Sequence, residues 1–284
     1  MSKPDSIERA LTSTEPISSA KFDPCGVVSL TSDFGLVDPY VGMMKAVILS
    51  HCPTAKIVDL THGVPAQDVR VAAFYLSRAW RHFQRGTVHL AVVDPGVGTD
   101  RRLLVAVLDG HAFVGPDNGL LAASLSSRAI VGDLDVARFA LAGGSHTFHG
   151  RDVMAPAVAA LASGLAVTSA VRAPVTSIVA APFGPPRPLP DGGIEVEVLV
   201  ADHYGNLILA CGPGDLDGPI AGWCVEIAGR EIAFARTYAQ VDRGQLVALV
   251  DSLPAIEIAV RDGSARDVLG LDRGDRVNLR KRPC

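Results

Sequence analysis

The sequence lacks the features that mark several classes of protein. Its five cysteines contain no Cys-x-x-Cys pair and lie far apart in the chain, which argues against a zinc knuckle and against a disulfide framework. No apolar run reaches the roughly 18 residues that a membrane-spanning helix needs. The net charge is −4, and no basic block is longer than the RKR of residues 280–282, so the electrostatic footprint of a nucleic-acid-binding protein is missing. We therefore expect no metal site, no membrane partner and no nucleic-acid partner.

The length and the composition describe a globular protein. The chain has 284 residues, of which 48% are hydrophobic, and this is enough for one large domain or two modest ones. Residues 1–25 mix charges, serine, threonine and proline without an apolar stretch, so they predict a flexible N-terminal arm and not a signal peptide. Together with the cysteine pattern, this predicts a cytoplasmic protein.

Residues 26–172 alternate short apolar runs with helical patterns. The runs GVVSLTSDF, KIVDLT, TVHLAVVDP and RLLVAVLDG are typical of strands, whereas YVGMMKAVILSHC and DVRVAAFYLSRAWRHF carry apolar residues at helical spacing. This alternation predicts an α/β domain with a mostly parallel sheet. In such a domain we expect the functional residues at the carboxyl ends of the strands.

The second half of the chain has a different pattern. Residues 173–193 contain six prolines and cannot sustain a regular element, so they predict a linker. Residues 194–284 consist of short β-rich runs separated by glycine, proline or aspartate turns. They predict a smaller all-β domain that resembles a barrel.

Two carboxylates stand where predicted strands give way to loops. Asp33, in TSDFG, can accept hydrogen bonds from both hydroxyls of a ribose, or it can close an Asx turn. In DPGVGTDRR, Asp94 precedes a glycine turn that brings Arg101 back towards it, so the two residues form a structural ion pair or hold a water molecule between them. The same stretch matches neither the G-x-G-x-x-G fingerprint nor the P-loop, which excludes nucleoside triphosphate binding by those motifs.

The histidines differ in what surrounds them. In HTFHGRD, His149 precedes a predicted helix, and Gly150 would let a ligand approach the backbone closely, although a buried structural histidine fits as well. His62, in THGVPAQDV, has no second ligand at a metal spacing, and we interpret it as a turn residue.

A third polar stretch, ADHYGNL, ends a strand of the second predicted domain. Its residues Asp202, Tyr204 and Asn206 could hold a cationic amine and read the edge of a heteroaromatic base. The alternative is a plain turn, because Tyr-Gly-Asn is favourable turn chemistry.

Several motifs in a fixed order carry a family resemblance. TSDFG, PYVGMMK, IVDLTH, DPGVGTDRR, PDNGLL, TFHGRD, DHYGN and IEIAV together resemble the S-adenosylmethionine hydroxide adenosyltransferase family, over roughly residues 27–280. That family is related to the fluorinase and the chlorinase. The resemblance implies an α/β domain followed by a C-terminal β barrel, assembled as a homotrimer. It also implies that the substrate lies between the first domain of one subunit and the second domain of its neighbour.

The resemblance also implies an activity and a site. The hydrolases of this family attack the ribose C5′ of S-adenosylmethionine with water, give adenosine and methionine, and use no cofactor. Their Asp-Arg-His set falls here on Asp94, Arg101 and His149. The substrate-binding positions of the family imply that Asp33 binds the ribose diol, that Asn206 binds the adenine edge, and that Tyr204 and Tyr238 flank the base. They imply that Asp38 and Asp202 bind the methionine ammonium and that Ser252 binds its carboxylate. The backbone around Arg261 would make further contacts with adenine.

Departures from the halogenating relatives favour water as the nucleophile. Those relatives carry a tyrosine at the position of Asp94 and a serine at that of Gly150, and the fluorinase has an additional loop near VAVLDGHAF. A carboxylate at position 94 would repel a halide. Leu253 stands where relatives carry a polar or basic residue, beside the serine that binds the methionine carboxylate.

Two other functions fit parts of the sequence. A sensor that binds S-adenosylmethionine or adenosine without reaction would keep Asp33 and Asn206 but would have no use for Arg101 and His149. A metal-dependent phosphoesterase built on the many aspartates would be inactivated by a chelator. The presence of the complete Asp-Arg-His set favours the hydrolase.

Overall fold

Residues 7–11, 15–227 and 229–282 are described by a computed structural model. The chain divides into two units, Met1–Pro182 and Phe183–Cys284, and this division falls inside the predicted linker of residues 173–193. Each unit has its own cluster of buried apolar side chains. The first unit is α/β and the second is all-β apart from short helices.

The first unit is built on a seven-stranded sheet. In chain order its strands are β2 (Val27–Ser32), β3 (Lys56–Thr61), β4 (Val88–Val92), β5 (Leu103–Leu108), β6 (His111–Pro116), β7 (Ile130–Leu134) and β8 (Val171–Pro174). They lie side by side in the order β3-β2-β4-β6-β5-β7-β8. Strands β4 to β7 are buried along their whole length, as expected for strands covered on both faces.

This sheet is mixed, so the prediction of a mostly parallel sheet is wrong. The pairs β2–β3, β2–β4 and β4–β6 are parallel, whereas β5–β6, β5–β7 and β7–β8 are antiparallel. The reason lies in the turn between β5 and β6, which consists of Asp109 and Gly110 with φ of 50° and 82°. A two-residue Asp-Gly turn with both φ positive joins antiparallel strands, because parallel neighbours need a long crossover.

Helices cover the sheet of the first unit. They are α1 (Tyr40–His51), α2 (Val69–Ala79), α3 (Val136–Phe139) and α4 (Ala155–Ala162). The side chain of Asp68 begins α2 by accepting hydrogen bonds from the backbone N–H groups of Arg70 and Val71. A π-helical turn, Gly150–Met154, leads into α4, whose small residues pack closely in the core. Among the described residues, no helix is both long and apolar enough to cross a membrane.

Part of the predicted N-terminal arm is a strand. Residues Glu8–Ala10 form β1, which pairs antiparallel with β9 (Ser177–Val179). The guanidinium of Arg9 also donates to the carbonyl oxygens of Ala122 and Leu125, at 3.0 and 2.9 Å. These bonds tie residues 8–10 to the first unit, and β8 and β9 show that the start of the predicted linker holds regular structure. Residues 1–6 and 12–14 of the predicted arm lie outside the described part of the chain.

The second unit is a nearly closed, barrel-like antiparallel sheet. Its strands are β10 (Arg187–Pro188), β11 (Ile194–Ala201), β12 (Leu207–Leu209), β13 (Trp223–Ile227), β14 (Arg230–Ala233), β15 (Leu246–Val250), β16 (Ile256–Val260) and β17 (Arg276–Lys281), and α5 (Ala265–Leu269) follows β16. The order is β14-β13-β17-β11-β12-β16-β15, with β10 beside β11. A bridge between Phe234, just after β14, and Ala248 of β15 brings the two ends of this order together.

Candidate active site

A cleft of about 570 Å³ opens in the first unit where β2 and β4 end. Asp33 follows β2, Asp94 follows β4, and both line the cleft together with His149. The first two sit at the carboxyl ends of neighbouring parallel strands, which is the edge at which ligands bind in α/β sheets. The cleft therefore gathers predicted site residues that are far apart in the sequence.

The turn after β4 joins Asp94 to Arg101. Nε of Arg101 donates to Oδ1 of Asp94 at 2.6 Å, and Nη2 donates to Oδ2, so the pair is bidentate. Their side chains are only 5% and 9% exposed. A β-carbon at Gly96 would lie 3.3 Å from Cδ of Arg101, so the glycine lets the arginine side chain lie flat across the turn. Such a pair is strongly attracted because little water screens it.

His149 completes the cluster from a distant segment. Its Nδ1 lies 3.2 Å from Nη2 of Arg101. The loop that carries it packs directly on the turn after β4, because a β-carbon at Gly98 would come within 2.9 Å of the carbonyl oxygen of His146. Gly98 also has φ of 80°, a conformation that favours glycine. This close approach of two backbones is what places the imidazole beside the guanidinium.

The contact with Arg101 decides the protonation of His149. A guanidinium can only donate, so Nδ1 is the acceptor, and the proton of the neutral ring is on Nε2. Burial lowers the pKa of His149 below its usual 6.5, and the charge of Arg101 lowers it further. The ring is therefore neutral at neutral pH.

Three aromatic rings also line the cleft. Phe34, Tyr40 and Phe148 meet in tilted and edge-to-face pairs with ring centroids 5.5–5.8 Å apart. Such packing fixes the rings relative to one another and gives the cleft an apolar side. The polar cluster and this aromatic wall together suit a ligand that has both polar and apolar parts.

Asp33 is held by a residue that the sequence did not single out. The backbone N–H of Gln67 donates to Oδ2 of Asp33 at 2.7 Å, and Gln67 also lines the cleft. Gln67 has φ of 63°, which is uncommon for a residue with a side chain and carries strain. Asp38, in contrast, is exposed in the loop that follows Asp33.

In the second unit, Asp202 organises the turn that was predicted to bind substrate. Its Oδ1 accepts from the backbone N–H groups of Tyr204 and Asn206, each at 2.8 Å, and its Oδ2 accepts from the side-chain nitrogen of Asn206 at 3.1 Å. Asn206 is buried, whereas Tyr204 is 73% exposed. Asp202 thus forms the turn that was the alternative interpretation, and the same bonds orient the Asn206 amide.

A buried carboxyl group lies next to this turn. The hydroxyl of Tyr238 donates to Oε1 of Glu257 at 2.7 Å, and Glu257, the second residue of β16, is only 3% exposed. Burial raises the pKa of Glu257 to about 7; the charges of Asp202 and Asp251 act in the same direction, whereas the bond from Tyr238 opposes the rise. Sequence reasoning missed Glu257, although a single charged residue within the apolar run AIEIAV was a signal.

The two remaining predicted residues flank the same strands. Ser252 follows β15 and is exposed. Arg261 follows β16, and its Nη1 donates to the carbonyl oxygens of Val241 and Ala239 at 2.8 and 3.4 Å. The guanidinium of Arg261 therefore supports the turn that carries Tyr238.

Both units match a described family. Residues 28–170 match the SAM hydroxide adenosyltransferase N-terminal domain, and residues 196–278 match the SAM hydroxide adenosyltransferase C-terminal domain. The chain belongs to the SAM hydroxide adenosyltransferase family. The resemblance inferred from the ordered motifs is thus confirmed.

Relatives and a solved structure in this family are similar over most of their length. The (R)-S-adenosyl-L-methionine hydrolase of Thermus thermophilus is 42% identical, over 89% of this chain and 98% of its own. The protein of the same name from Salinispora tropica is 38% identical, over 90% and 98%. The crystal structure of an uncharacterized conserved protein from Thermotoga maritima has a TM-score of 0.79 and 33% identity, and the match covers 89% of this chain and 99% of that one.

The chain is also similar to fluorinases, at lower sequence identity. The fluorinase of an Actinoplanes species is 26% identical over 64% of this chain and 70% of its own. At the positions where the sequence departs from halogenating enzymes, Asp94 is bonded to Arg101, and Gly150 is packed so tightly that a β-carbon would lie 3.1 Å from Val92 and 3.3 Å from Met44. Any side chain at position 150 would thus require its neighbours to move.

The structure brings the predicted residues together in two groups, one in each unit. Asp33, Asp94 and His149 line the cleft of the first unit, and Arg101 contacts both Asp94 and His149. Asp38 lies in the loop after Asp33, and the other predicted residues lie in the second unit: Asp202, Tyr204, Asn206, Tyr238, Ser252 and Arg261. Within residues 7–11, 15–227 and 229–282, no group of three or more His, Cys, Asp or Glu side chains is arranged to hold a metal ion.

Proposed function

We propose that the protein hydrolyses S-adenosyl-L-methionine at the ribose C5′ and releases adenosine and L-methionine. The observation that carries this proposal is the half-buried cluster of Asp94, Arg101 and His149 at a cleft, in a chain 42% identical to an (R)-S-adenosyl-L-methionine hydrolase. A protein that only bound the substrate would have no use for a guanidinium that contacts a carboxylate and an imidazole at the same time.

The reaction needs an activated nucleophile more than an activated leaving group. The water oxygen forms a bond to C5′ while the bond from C5′ to sulfur breaks. The electron pair of the broken bond stays on the sulfur of methionine. Because the sulfonium leaves as a neutral thioether, no acid has to protonate it and no cofactor has to polarise it. Water itself is a poor nucleophile, with a pKa of about 15.7 in bulk. A cation beside the attacking water favours the developing hydroxide.

We infer a different task for each of the three residues. Arg101 supplies the positive charge. Its bond to Nδ1 of His149 leaves that ring with a proton on Nε2, so His149 is a hydrogen-bond donor to the attacking oxygen and not the base. Asp94 is then the acceptor that takes the proton, since its oxygens keep lone pairs beyond those used by Arg101. The negative charge of Asp94 also repels a halide, which favours water over halogenation.

The substrate-binding roles follow from the chemistry of each side chain. Asp33 would accept from the ribose diol at the cleft. In the second unit, the oriented amide of Asn206 would read the adenine edge, and the rings of Tyr204 and Tyr238 would flank the base. Asp38 and Asp202 would bind the methionine ammonium, Ser252 its carboxylate, and the backbone near Arg261 the adenine.

We further propose that the enzyme is a homotrimer in which the first unit of one subunit and the second unit of its neighbour share a substrate. The predicted residues divide between the two units, and each unit exposes large apolar or aromatic side chains near them in the sequence or among them: Leu36 and Val37 after Asp33 in the first unit, and Tyr204 and Tyr238 in the second. Light scattering tests the assembly by the mass in solution. A cytoplasmic location agrees with the described cysteines, all of which are free.

Chromatography of the reaction products tests the activity. Purified protein incubated with S-adenosyl-L-methionine is expected to yield adenosine and methionine, with or without a chelator. S-adenosyl-L-methionine that elutes unchanged would contradict the proposal and support the sensor. Loss of activity on chelation would support metal-dependent chemistry.

A further inference from the structure

His62 is buried directly beneath the segment that carries Asp33. Nδ1 of His62 lies 2.7 Å from the hydroxyl of Ser32, the last residue of β2, and both side chains are buried. The carbonyl oxygen of His62 accepts from the backbone N–H of Gly35 at 2.8 Å. One histidine therefore binds the chain on both sides of Asp33.

A third bond joins the same two segments. The backbone N–H of Gln67 donates to Oδ2 of Asp33 at 2.7 Å, and among the described residues no other partner of the Asp33 carboxylate is found. Residues 62–67 thus hold residues 32–35 at three points. The strained backbone of Gln67 persists only where its surroundings fix it, and the bonds of His62 are part of those surroundings.

We propose that His62 is a positioning residue that holds Asp33 in place to bind the ribose diol. The proposal rests on the proposed function, in which Asp33 accepts from the two hydroxyls of the nucleoside. A carboxylate that accepts from two adjacent hydroxyls has to be held within about 0.5 Å of the position that binds them. Neighbouring side chains hold it there through their own packing and hydrogen bonds. Without the bond to Ser32, the ligand would have to order this segment on binding, which weakens affinity.

The Nδ1 side of the ring, and not the Nε2 side, carries this role. Nε2 of His62 lies 3.1 Å from Oδ1 of Asp59, which does not line the cleft. Asp59 is also bound by Nζ of Lys45 at 2.6 Å. The link from His62 to the ligand therefore runs through Ser32 and the strand end.

The same strand provides a matched control. Ser29 of β2 is also buried and also bonds a buried histidine, with its hydroxyl 2.6 Å from Nδ1 of His89. That pair packs among Trp80 and Phe113 and does not line the cleft. Ser32→Ala and Ser29→Ala therefore each remove a hydroxyl that bonds a buried histidine, and only Ser32 lies beside Asp33. Ser32→Ala also removes the 3.4 Å bond that its hydroxyl accepts from the backbone N–H of Phe34, so the His62 variants below separate the two contributions.

The test compares the binding of adenosine and of 2′,3′-dideoxyadenosine, which lacks the diol, by calorimetry on the full-length protein. Ser32→Ala is expected to raise the Kd for adenosine about fivefold to tenfold, which corresponds to the loss of about one hydrogen bond. The Kd for dideoxyadenosine is expected to stay unchanged. Ser29→Ala is expected to change neither. With S-adenosyl-L-methionine as substrate, Ser32→Ala raises KM and leaves kcat unchanged.

A second variant tests the ring itself. His62→Asn places an amide nitrogen near the position of Nδ1 and is expected to keep the preference for adenosine, whereas His62→Leu loses it. If Ser32→Ala weakens the binding of both nucleosides equally, or changes the binding of neither, the preference for adenosine over dideoxyadenosine is intact. The positioning role is then overturned, while the ribose role of Asp33 stands. If the wild-type protein binds both nucleosides equally, the ribose role itself fails and the positioning role with it.

Discussion

Nη2 of Arg101 lies 3.2 Å from Nδ1 of His149 and binds Asp94 at the same time. Because a guanidinium has no lone pair to offer, this arrangement makes Nδ1 the acceptor and leaves the imidazole proton on Nε2. Asp94 and His149 line one cleft, and the positive charge of Arg101 is in contact with both of them. Because each of the three residues has a different role, the predictions below differ from one residue to the next.

The first prediction concerns pH. The His149 ring has to be neutral to accept from Arg101, and burial together with the charge of Arg101 lowers its pKa below 6.5. A lowered pKa means that protonation, and with it the loss of activity, sets in only at a more acidic pH than for an ordinary histidine. We expect kcat to stay level as the pH falls through 6.5 and to decline below it. An acidic limb centred above 6.5 in the profile of kcat against pH would contradict this assignment.

The second prediction concerns Arg101. Arg101→Ala removes the charge that favours the attacking hydroxide, so we expect kcat to fall about 100-fold or more, with little change in adenosine affinity.

Arg102→Ala is the matched control for this variant. Arg102 pairs with the buried carboxylate of Asp117 and also donates to the carbonyl oxygen of Ser177. Its loss is expected to lower the melting temperature and to leave kcat unchanged. Equal losses of kcat in the two variants, measured by steady-state kinetics, would contradict the role of Arg101.

The third prediction concerns Asp33. Asp33→Ala removes the acceptor for the ribose diol, and each charge-assisted bond is worth about 1.5 to 3 kcal/mol, so KM and the Kd for adenosine should rise by about 10-fold or more. Since Asp33 does not act on the attacking water, kcat should change little. A large drop in kcat at unchanged KM would place Asp33 in the chemistry instead.

The fourth prediction concerns Glu257. Its pKa is about 7 in the folded protein against 4.5 for an ordinary glutamate, so the folded state binds the proton more tightly than the unfolded state. The resulting stability is fully present below pH 4.5 and is lost as the pH rises through 7, by up to about 3 kcal/mol in the free energy of unfolding.

Glu257→Gln keeps an acceptor for Tyr238 but cannot titrate. Denaturant unfolding at a series of pH values should therefore show the wild type losing stability relative to this variant between pH 4.5 and 7. Parallel curves for the two proteins would show that Glu257 titrates normally and is not buried as described.

The sequence allows the pairs formed within one turn to be predicted, because the chain itself brings them together. Asp94 and Arg101 are separated by a glycine turn, and their pairing was predicted as one of two alternatives. The antiparallel hairpin of β5 and β6 was also readable, since Asp109-Gly110 is a hairpin turn, but the alternation of strands and helices around it favoured a parallel sheet.

The contacts between distant segments could not be predicted from spacing. His149 reaches Arg101 only because two backbones approach at Gly98, and the ordered family motifs, not the pattern of residues, pointed to it. Glu257 of β16 bonds Tyr238, which lies in a turn elsewhere in the second unit. His62, which was interpreted as a turn residue, is buried against Ser32. In each case the partner is set by tertiary packing, which local sequence does not encode.

Heavy-oxygen water tests the central claim most directly, because the claim concerns which atom attacks which carbon. When the protein acts on S-adenosyl-L-methionine in water labelled with oxygen-18, mass spectrometry is expected to find the label in the ribose of adenosine and none in methionine. Adenosine that forms without the label, or a label found only in methionine, would contradict attack of water at C5′.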